Sequence, residues 1–313
     1  MIRVGAFDCG TNSLRLLIAD LDPATGESVE HVREMRIVRL GQGVDRTGRI
    51  AEESMQRAFL ALDEFAMLTA EYQPERIRFC ATSAARDAEN AAEFTEAVRQ
   101  RIGVEVEVIA GDEEARASFD GATRALGEDA EAPVLVLDIG GGSTELVLGV
   151  PTGADRRAFT ITAEHSLDIG SVRLTERHLH VDPPTPEQVA AVEADIDAAL
   201  DACRVDPGLA GTVVGVAGTV TTVAAGVLRL PVYDREQVHL ARLDVSEVRA
   251  TIRDLVGMTV AGRRALGYLH PGRADVIGAG ALILDRILRR TPVTTLTVSE
   301  SDILDGIAWS CVT

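Results

Sequence analysis

A nine-residue pattern occurs twice in this chain, and it restricts the fold more than any other feature. Asp8-Cys-Gly-Thr-Asn-Ser-Leu-Arg-Leu aligns without gaps on Asp138-Ile-Gly-Gly-Gly-Ser-Thr-Glu-Leu, so that Asp8 falls on Asp138, Gly10 on Gly140, Ser13 on Ser143 and Leu16 on Leu146. Each copy lies between two apolar runs: 2–8 and 14–20 in the first, 134–138 and 145–150 in the second. Such runs predict strands, and the glycine-bearing stretch between them predicts a tight turn. A strand–turn–strand unit at the start of each half implies two related α/β domains, with the two turns on either side of a cleft.

The remaining periodicity fills out both halves. Further strands are expected over 30–38, 76–81, 104–109, 212–217 and 294–298. Apolar residues at helical spacing predict helices through Met55, Phe59, Leu62 and Ala66, and through Ala91, Phe94, Val98 and Ile102. Others are expected through Ala115, Phe119, Ala122 and Leu126, over 274–290 and over 302–311. The proline-rich stretch 182–186 introduces one more, through Val189, Val192, Ile196, Leu200 and Cys203. The polar, acidic stretch 127–133 and the residues before Ser299 are the expected crossing points. They divide the chain into 1–126 plus 299–313 and 127–298.

Each repeated turn opens with an aspartate at a strand end and continues with glycine and hydroxyl residues. Glycine lets backbone N–H groups close on a ligand as a nest, which favours anions and phosphate above all. The aspartates would repel phosphate directly; they make sense as holders of a divalent cation or as groups orienting a nucleophile. A third glycine turn, with Gly218 and Thr219, follows the strand at 212–217 and offers another backbone surface of the same kind.

Composition narrows the chemistry. No lysine occurs, so the 31 basic residues are all arginine, which excludes a Walker A loop and a Schiff-base lysine. A net charge of −18 argues against a nucleic-acid binder that works through a basic face. The four cysteines are scattered, with no Cys-x-x-Cys, so neither a disulfide framework nor a zinc site is indicated. Charged Arg3 and Asp8 at the start leave no signal-peptide core, and no apolar run reaches membrane-spanning length. A soluble, cytoplasmic protein without membrane or nucleic-acid partners is the expectation.

Paired phosphate turns resemble those of the actin, acetate-kinase and hexokinase superfamily. Five motifs in order narrow this further: 8–16, Ala81-Thr-Ser-Ala-Ala-Arg-Asp87, Ile109-Ala-Gly-Asp-Glu-Glu-Ala-Arg116, 138–146, and Gly215-Val-Ala-Gly-Thr219. Nearly end to end, the chain resembles the exopolyphosphatase/guanosine-pentaphosphate phosphohydrolase (Ppx/GppA) family, in a short form without the helical extension of its long members. The resemblance implies two ribonuclease-H-like (actin-like ATPase) domains flanking a cleft that closes over substrate, and, by analogy, a homodimer. It departs from the pattern at Leu304, where many relatives carry arginine.

What the resemblance implies chemically is removal of terminal phosphate from inorganic polyphosphate, with a role in the stringent response if the substrate is guanosine pentaphosphate. Glu114 matches the family's catalytic glutamate, which activates water; Glu113 reads as a charge matched to a helix start. Arg86, by itself an ordinary surface arginine, matches the arginine that clamps the terminal phosphoryl group. Phosphate contacts are expected from Asn12, Ser13, Thr82, Ser83, Gly140, Gly141, Gly142, Ser143, Thr144, Gly218 and Thr219. Asp138 is the first choice for holding Mg²⁺ or another divalent cation, and Asp8 the second. Glu145 either supports one of them or points to solvent. Arg15 and Arg116 face solvent or pair with local carboxylates, and Cys9 reads as a packing residue within reach of a thiol reagent. His178 and His180 read as a surface helix end, and Trp309 as core or interface. A kinase on the same fold and a non-catalytic polyphosphate- or alarmone-binding regulator are the competing functions.

Overall fold

The computed structural model describes residues 1–127, 130–152 and 158–312. By contact density the chain divides into Met1–Gly121 with Ile303–Thr313, and Ala122–Asp302. Composition had placed these boundaries after 126 and 298, inside the linking stretches; residues 128 and 129 of the expected linker lie outside the described residues.

In the first unit the chain runs through β1 (Ile2–Cys9), β2 (Ser13–Leu21), β3 (Ser28–Ile37), α1 (Val44–Thr47), α2 (Glu52–Tyr72) and β4 (Arg76–Ala81). It continues through α3 (Ser83–Asp87), α4 (Ala91–Ile102), β5 (Val106–Val108) and α5 (Gly111–Thr123). The sheet order is β3-β2-β1-β4-β5, with β1 antiparallel to β2 and parallel to β4. Strand alternation sends Phe7, Cys9, Leu14, Leu16 and Ile18 into one core with Leu62, Phe65, Phe94 and Val98 of α2 and α4. Val4, Ala6, Leu17, Ala19 and Cys80 point to the opposite face. The last helix of the chain covers that face.

The second unit holds β6 (Val134–Ile139), β7 (Thr144–Thr152), β8 (Ala158–Leu167), α6 (Ser171–His178), α7 (Pro186–Asp201) and β9 (Thr212–Val216). There follow α8 (Ala217–Val227), α9 (Arg235–Val238), β10 (Arg242–Asp244), α10 (Val245–Gly257), α11 (Val260–Arg264), α12 (Ile277–Leu288) and β11 (Thr295–Val298). Helix α13 (Ile303–Ser310) returns to the first unit. Its Leu304, Ile307, Ala308 and Trp309 pack on Val4, Ala6 and Leu17, so the leucine that departs from the family pattern is a core residue here.

The second sheet runs β10-β11-β9-β6-β7-β8. Read from β8, it begins as the first sheet does from β3: an antiparallel hairpin, then a parallel strand beside its first member. The repeat is therefore one of topology as well as sequence. Leu135, Leu137, Leu146 and Leu148 face the main core of this unit with α7, α8, α10 and α12.

One buried charge organises the helices of the second unit. Arg263 is 2 % exposed, and its guanidinium donates to the carbonyls of Leu255 (2.7 Å), Val256 (3.1 Å) and Ala274 (3.2 Å). It thereby ties the C-terminal end of α10 to the approach to α12, satisfying carbonyls a helix end leaves open. Replacing Arg263 with Met strands these acceptors in the interior and is expected to cost about 3 kcal/mol. Thermal or urea unfolding of Arg263→Met checks this; an unchanged midpoint would contradict it.

Candidate active site

The two hairpin turns are built alike. Gly10 N–H donates to Ser13 O at 2.9 Å, and Gly140 N–H to Ser143 O at 3.0 Å. In the first turn Gly41 N–H holds Thr11 O (2.8 Å), while the amides of Val38 and Arg39 hold Asn12 O (3.0 and 2.9 Å). In the second, Ser171 N–H holds Gly140 O (3.0 Å), the amides of Val172 and Arg173 hold Gly141 O (2.8 and 3.1 Å), and Arg173 Nε holds Gly142 O (2.8 Å). Both braces come from the segment just after the hairpin's third strand. With these carbonyls tied, the amides point away from the brace. Among the described residues no backbone acceptor is bound to the amides of Thr11 and Asn12, or of Gly141, Gly142 and Ser143. Such outward N–H groups form an anion nest. Gly170 makes the second brace possible: a Cβ there would overlap the Gly141 carbonyl and stand 2.6 Å from Gly142 N.

The carboxylates that open the turns differ in company. Asp8 pairs across the hairpin with Arg15, in register. Arg15 Nε and Nη2 both donate to Asp8 Oδ2, at 2.9 and 2.7 Å. Asp138 stands in the same register opposite Glu145. Directly opposed residues share a face, so Asp138 and Glu145 lie on the face opposite Leu137 and Leu146. Glu145 is 2 % exposed and its Oε1 accepts from Ser166 Oγ at 2.7 Å, which excludes the solvent-facing alternative. The repeat thus carries an acid–base pair in one unit and two acids in the other.

Within the first unit, α5 begins with Glu113 and Glu114. Glu113 is exposed and pairs with Arg78 (2.6 Å). Glu114 is 8 % exposed and accepts from Arg86 Nη1 at 2.8 Å, which also holds Ile109 O at 2.8 Å. No hydrogen bond among the described residues uses Arg86 Nε or Nη2, so the outer fork of the guanidinium remains for a ligand. Burial raises the Glu114 carboxyl above its ordinary range, with the Asp8 charge adding to it; Arg86 and the Thr82 hydroxyl act against that shift without reversing it. Arg86 lies in the last turn of the short helix α3 rather than in an open turn.

The expected hydroxyl donors divide. Thr82 is buried beside Glu114, and its hydroxyl favours the charged carboxylate. Ser83 Oγ and Thr11 Oγ1 bond each other at 2.7 Å, buried, which uses one of their two protons. Thr144 Oγ1 donates to Ile169 O at 2.7 Å inside the core, so its hydroxyl holds the hairpin. Asn12, Ser13 and Gly141 are partly exposed, Gly142 and Ser143 buried.

The third glycine segment is not a turn but the start of α8. Val216 is extended and Ala217 has φ +64°, so a single left-handed residue converts strand to helix and brings Gly218 and Thr219 into the first helical turn. The guanidinium of Arg273 packs against Gly218 at a distance no side chain there would allow. Arg273 escaped sequence reasoning; its signal was an arginine just before an apolar helix, which any surface arginine shares.

Other residues have structural roles. His178 pairs with Asp195 (2.8 Å) near the surface. Cys9 is wholly buried beside Phe7 and Leu14, out of reach of the thiol reagent expected to find it. Burial, with Asp8 adjacent, holds the Cys9 thiol well above its ordinary range, and burial pushes Cys80 up to about 12. In the native protein both are expected to resist iodoacetamide while half-buried Cys203 and Cys311 react first. Peptide mass mapping checks this, and early labelling of Cys9 would contradict it.

Known proteins resemble this chain over nearly its whole length. The chain is 47% identical to exopolyphosphatase 2 of Mycobacterium tuberculosis, covering 99% of this chain and 98% of that protein. A crystal structure of an exopolyphosphatase-like protein superposes with a TM-score of 0.94 at 43% identity, covering 99% of this chain and 97% of the other. The Ppx/GppA family member of Aquifex aeolicus superposes at 0.80 with 32% identity, over 99% and 97% of the two chains. An exopolyphosphatase from Cytophaga hutchinsonii superposes at 0.87 with 26% identity, over 98% and 97%. Both units thus have the actin-like ATPase fold of these phosphatases. The model of the Ppx/GppA phosphatase family matches residues 25–312, and the chain belongs to that family.

Proposed function

We propose that this protein is an exopolyphosphatase, hydrolysing the terminal phosphoanhydride bond of inorganic polyphosphate and releasing orthophosphate. The observation that carries the reading is the Arg86–Glu114 pair: a buried carboxylate held by one nitrogen of a guanidinium whose other edge carries no partner among the described residues. The free fork of Arg86 takes the terminal phosphoryl oxygens bidentately. Glu114, beside it, accepts a proton from water as the water oxygen bonds to phosphorus and the anhydride P–O bond breaks. The shortened chain leaves as the anion. In the first unit the turn amides, with Asn12 and Ser13, hold further phosphate; in the second unit the turn amides with Ser143, and Gly218 and Thr219 beside Arg273, offer phosphate contacts of the same kind.

A divalent cation fits the residues of the second hairpin. Asp138 and Glu145 offer two buried hard oxygen donors in register, whereas Asp8 is committed to Arg15. No larger group of His, Cys, Asp and Glu suited to a metal gathers among the described residues, so these two carboxylates would hold the ion with few protein ligands, which suits Mg²⁺. When bound, the ion offsets the stacked phosphate charge.

Three outcomes are expected. Glu114→Gln lowers kcat by about 10²- to 10⁴-fold with little change in polyphosphate binding. Because the Glu114 carboxyl is raised, the wild-type rate falls as pH drops through a value above the ordinary carboxylate range, and this limb is missing from the residual rate of Glu114→Gln. Orthophosphate release with Mg²⁺ from polyphosphates of graded length, guanosine pentaphosphate and ATP, run in parallel, tests the substrate. Release from guanosine pentaphosphate alone would transfer the reading to alarmone hydrolysis, and no release from any of the three would overturn it.

A further inference from the structure

The last helix of the chain meets the helix of Glu114 at a glycine. Gly306 lies in α13 against Ala117 of α5, so close that a Cβ on Gly306 would overlap the Ala117 carbonyl oxygen and stand 2.7 Å from its carbon and 3.1 Å from its Cα. The obstruction is backbone, which no rotamer change relieves. Ala117 follows Glu114 by three residues, so the two lie on one face of α5, about a turn apart.

Neither helix is free to give way. α13 is seated on β1 and β2 through Leu304, Ile307 and Ala308. It is pinned at Asp305, which takes two hydrogen bonds from Arg33 of β3 (2.6 and 3.3 Å). Arg78 of β4 joins the two helices, donating to Glu113 of α5 (2.6 Å) and to Ser310 of α13 (2.9 Å). α5 is further held where Arg86 binds both Ile109 O and Glu114. A methyl group inserted between these helices must therefore force them apart against these ties, and a displaced α5 carries Glu114 with it.

We propose that Gly306 is a positioning residue for Glu114: it lets α13 and α5 meet backbone to backbone, one turn from the carboxylate, and so sets where that carboxylate stands. The proposal rests on the reading of Glu114 as the group that activates water. The turn amides that hold further phosphate sit on other elements, and Arg86 is carried by α3, so misplacing α5 acts on turnover more than on binding.

The test compares Gly306→Ala, Glu114→Gln and Leu62→Ala, the last a cavity in the core under α2 that destabilises without touching α5. Steady-state hydrolysis of polyphosphate is measured well below each melting temperature. Gly306→Ala is expected to lower kcat about 10- to 100-fold with KM within about twofold, because a displacement of roughly an ångström is enough to do so. Leu62→Ala is expected to melt earlier and keep its kcat. Folded Gly306→Ala with wild-type kcat, beside an inactive Glu114→Gln, overturns the proposal and leaves the reading intact. An active Glu114→Gln overturns the reading itself. If Gly306→Ala does not fold, Arg78→Gln carries the test: it removes the link between the helices without adding bulk. A severalfold drop in kcat at unchanged KM supports the proposal, and a wild-type kcat overturns it.

Discussion

A peptide unit shows its carbonyl to one side and its N–H to the other, so tying down the carbonyls of a turn decides where its amides point. Both hairpins of this protein rest on that constraint. Residues 38–41 hold the carbonyls of one turn and 170–173 those of the other. The braces differ, one an irregular segment and the other the start of a helix, yet the outcome is the same. In a chain of net charge −18 this matters, because the overall field repels an anionic substrate. On the proposed reading, local dipoles set by a rigid frame, with a few placed arginines, supply the attraction instead.

The repeat has kept its scaffold and exchanged one charge. At the position facing the turn aspartate, the first unit carries Arg15 and the second Glu145. An aspartate beside a guanidinium is neutralised where it stands, whereas facing carboxylates depend on partners beyond the hairpin, as Glu145 does on Ser166. One substitution in a duplicated hairpin is enough to exchange an ion pair for two facing acids.

Much of this was legible because the signals are local. Strand 76–81, the helices over Glu52–Tyr72 and Ala91–Ile102, and the gapless alignment of the two turns all follow from periodicity and glycine placement. α8 was not, since its residues Thr219 to Ala225 are buried on every side and offer no amphipathic stripe. Strand β5 shrank from six expected residues to Val106–Val108 because it is an edge strand whose ladder runs only opposite Phe79 to Ala81 of β4. At the candidate site, the residue types could be named but their commitments could not. That Thr144 serves the core, Thr82 serves Glu114 and Asp8 belongs to Arg15 depends on partners 25, 32 and 7 residues away in the chain.

The return of α13 to the first unit has a consequence for synthesis. One face of the first sheet is covered by residues 303–309, while its strands are complete by residue 108. On the ribosome, the second unit has all its own segments before that cover emerges, so Val4, Ala6 and Leu17 lack their α13 packing until residues 303–309 are made. The first unit to be translated is thus the last to be finished.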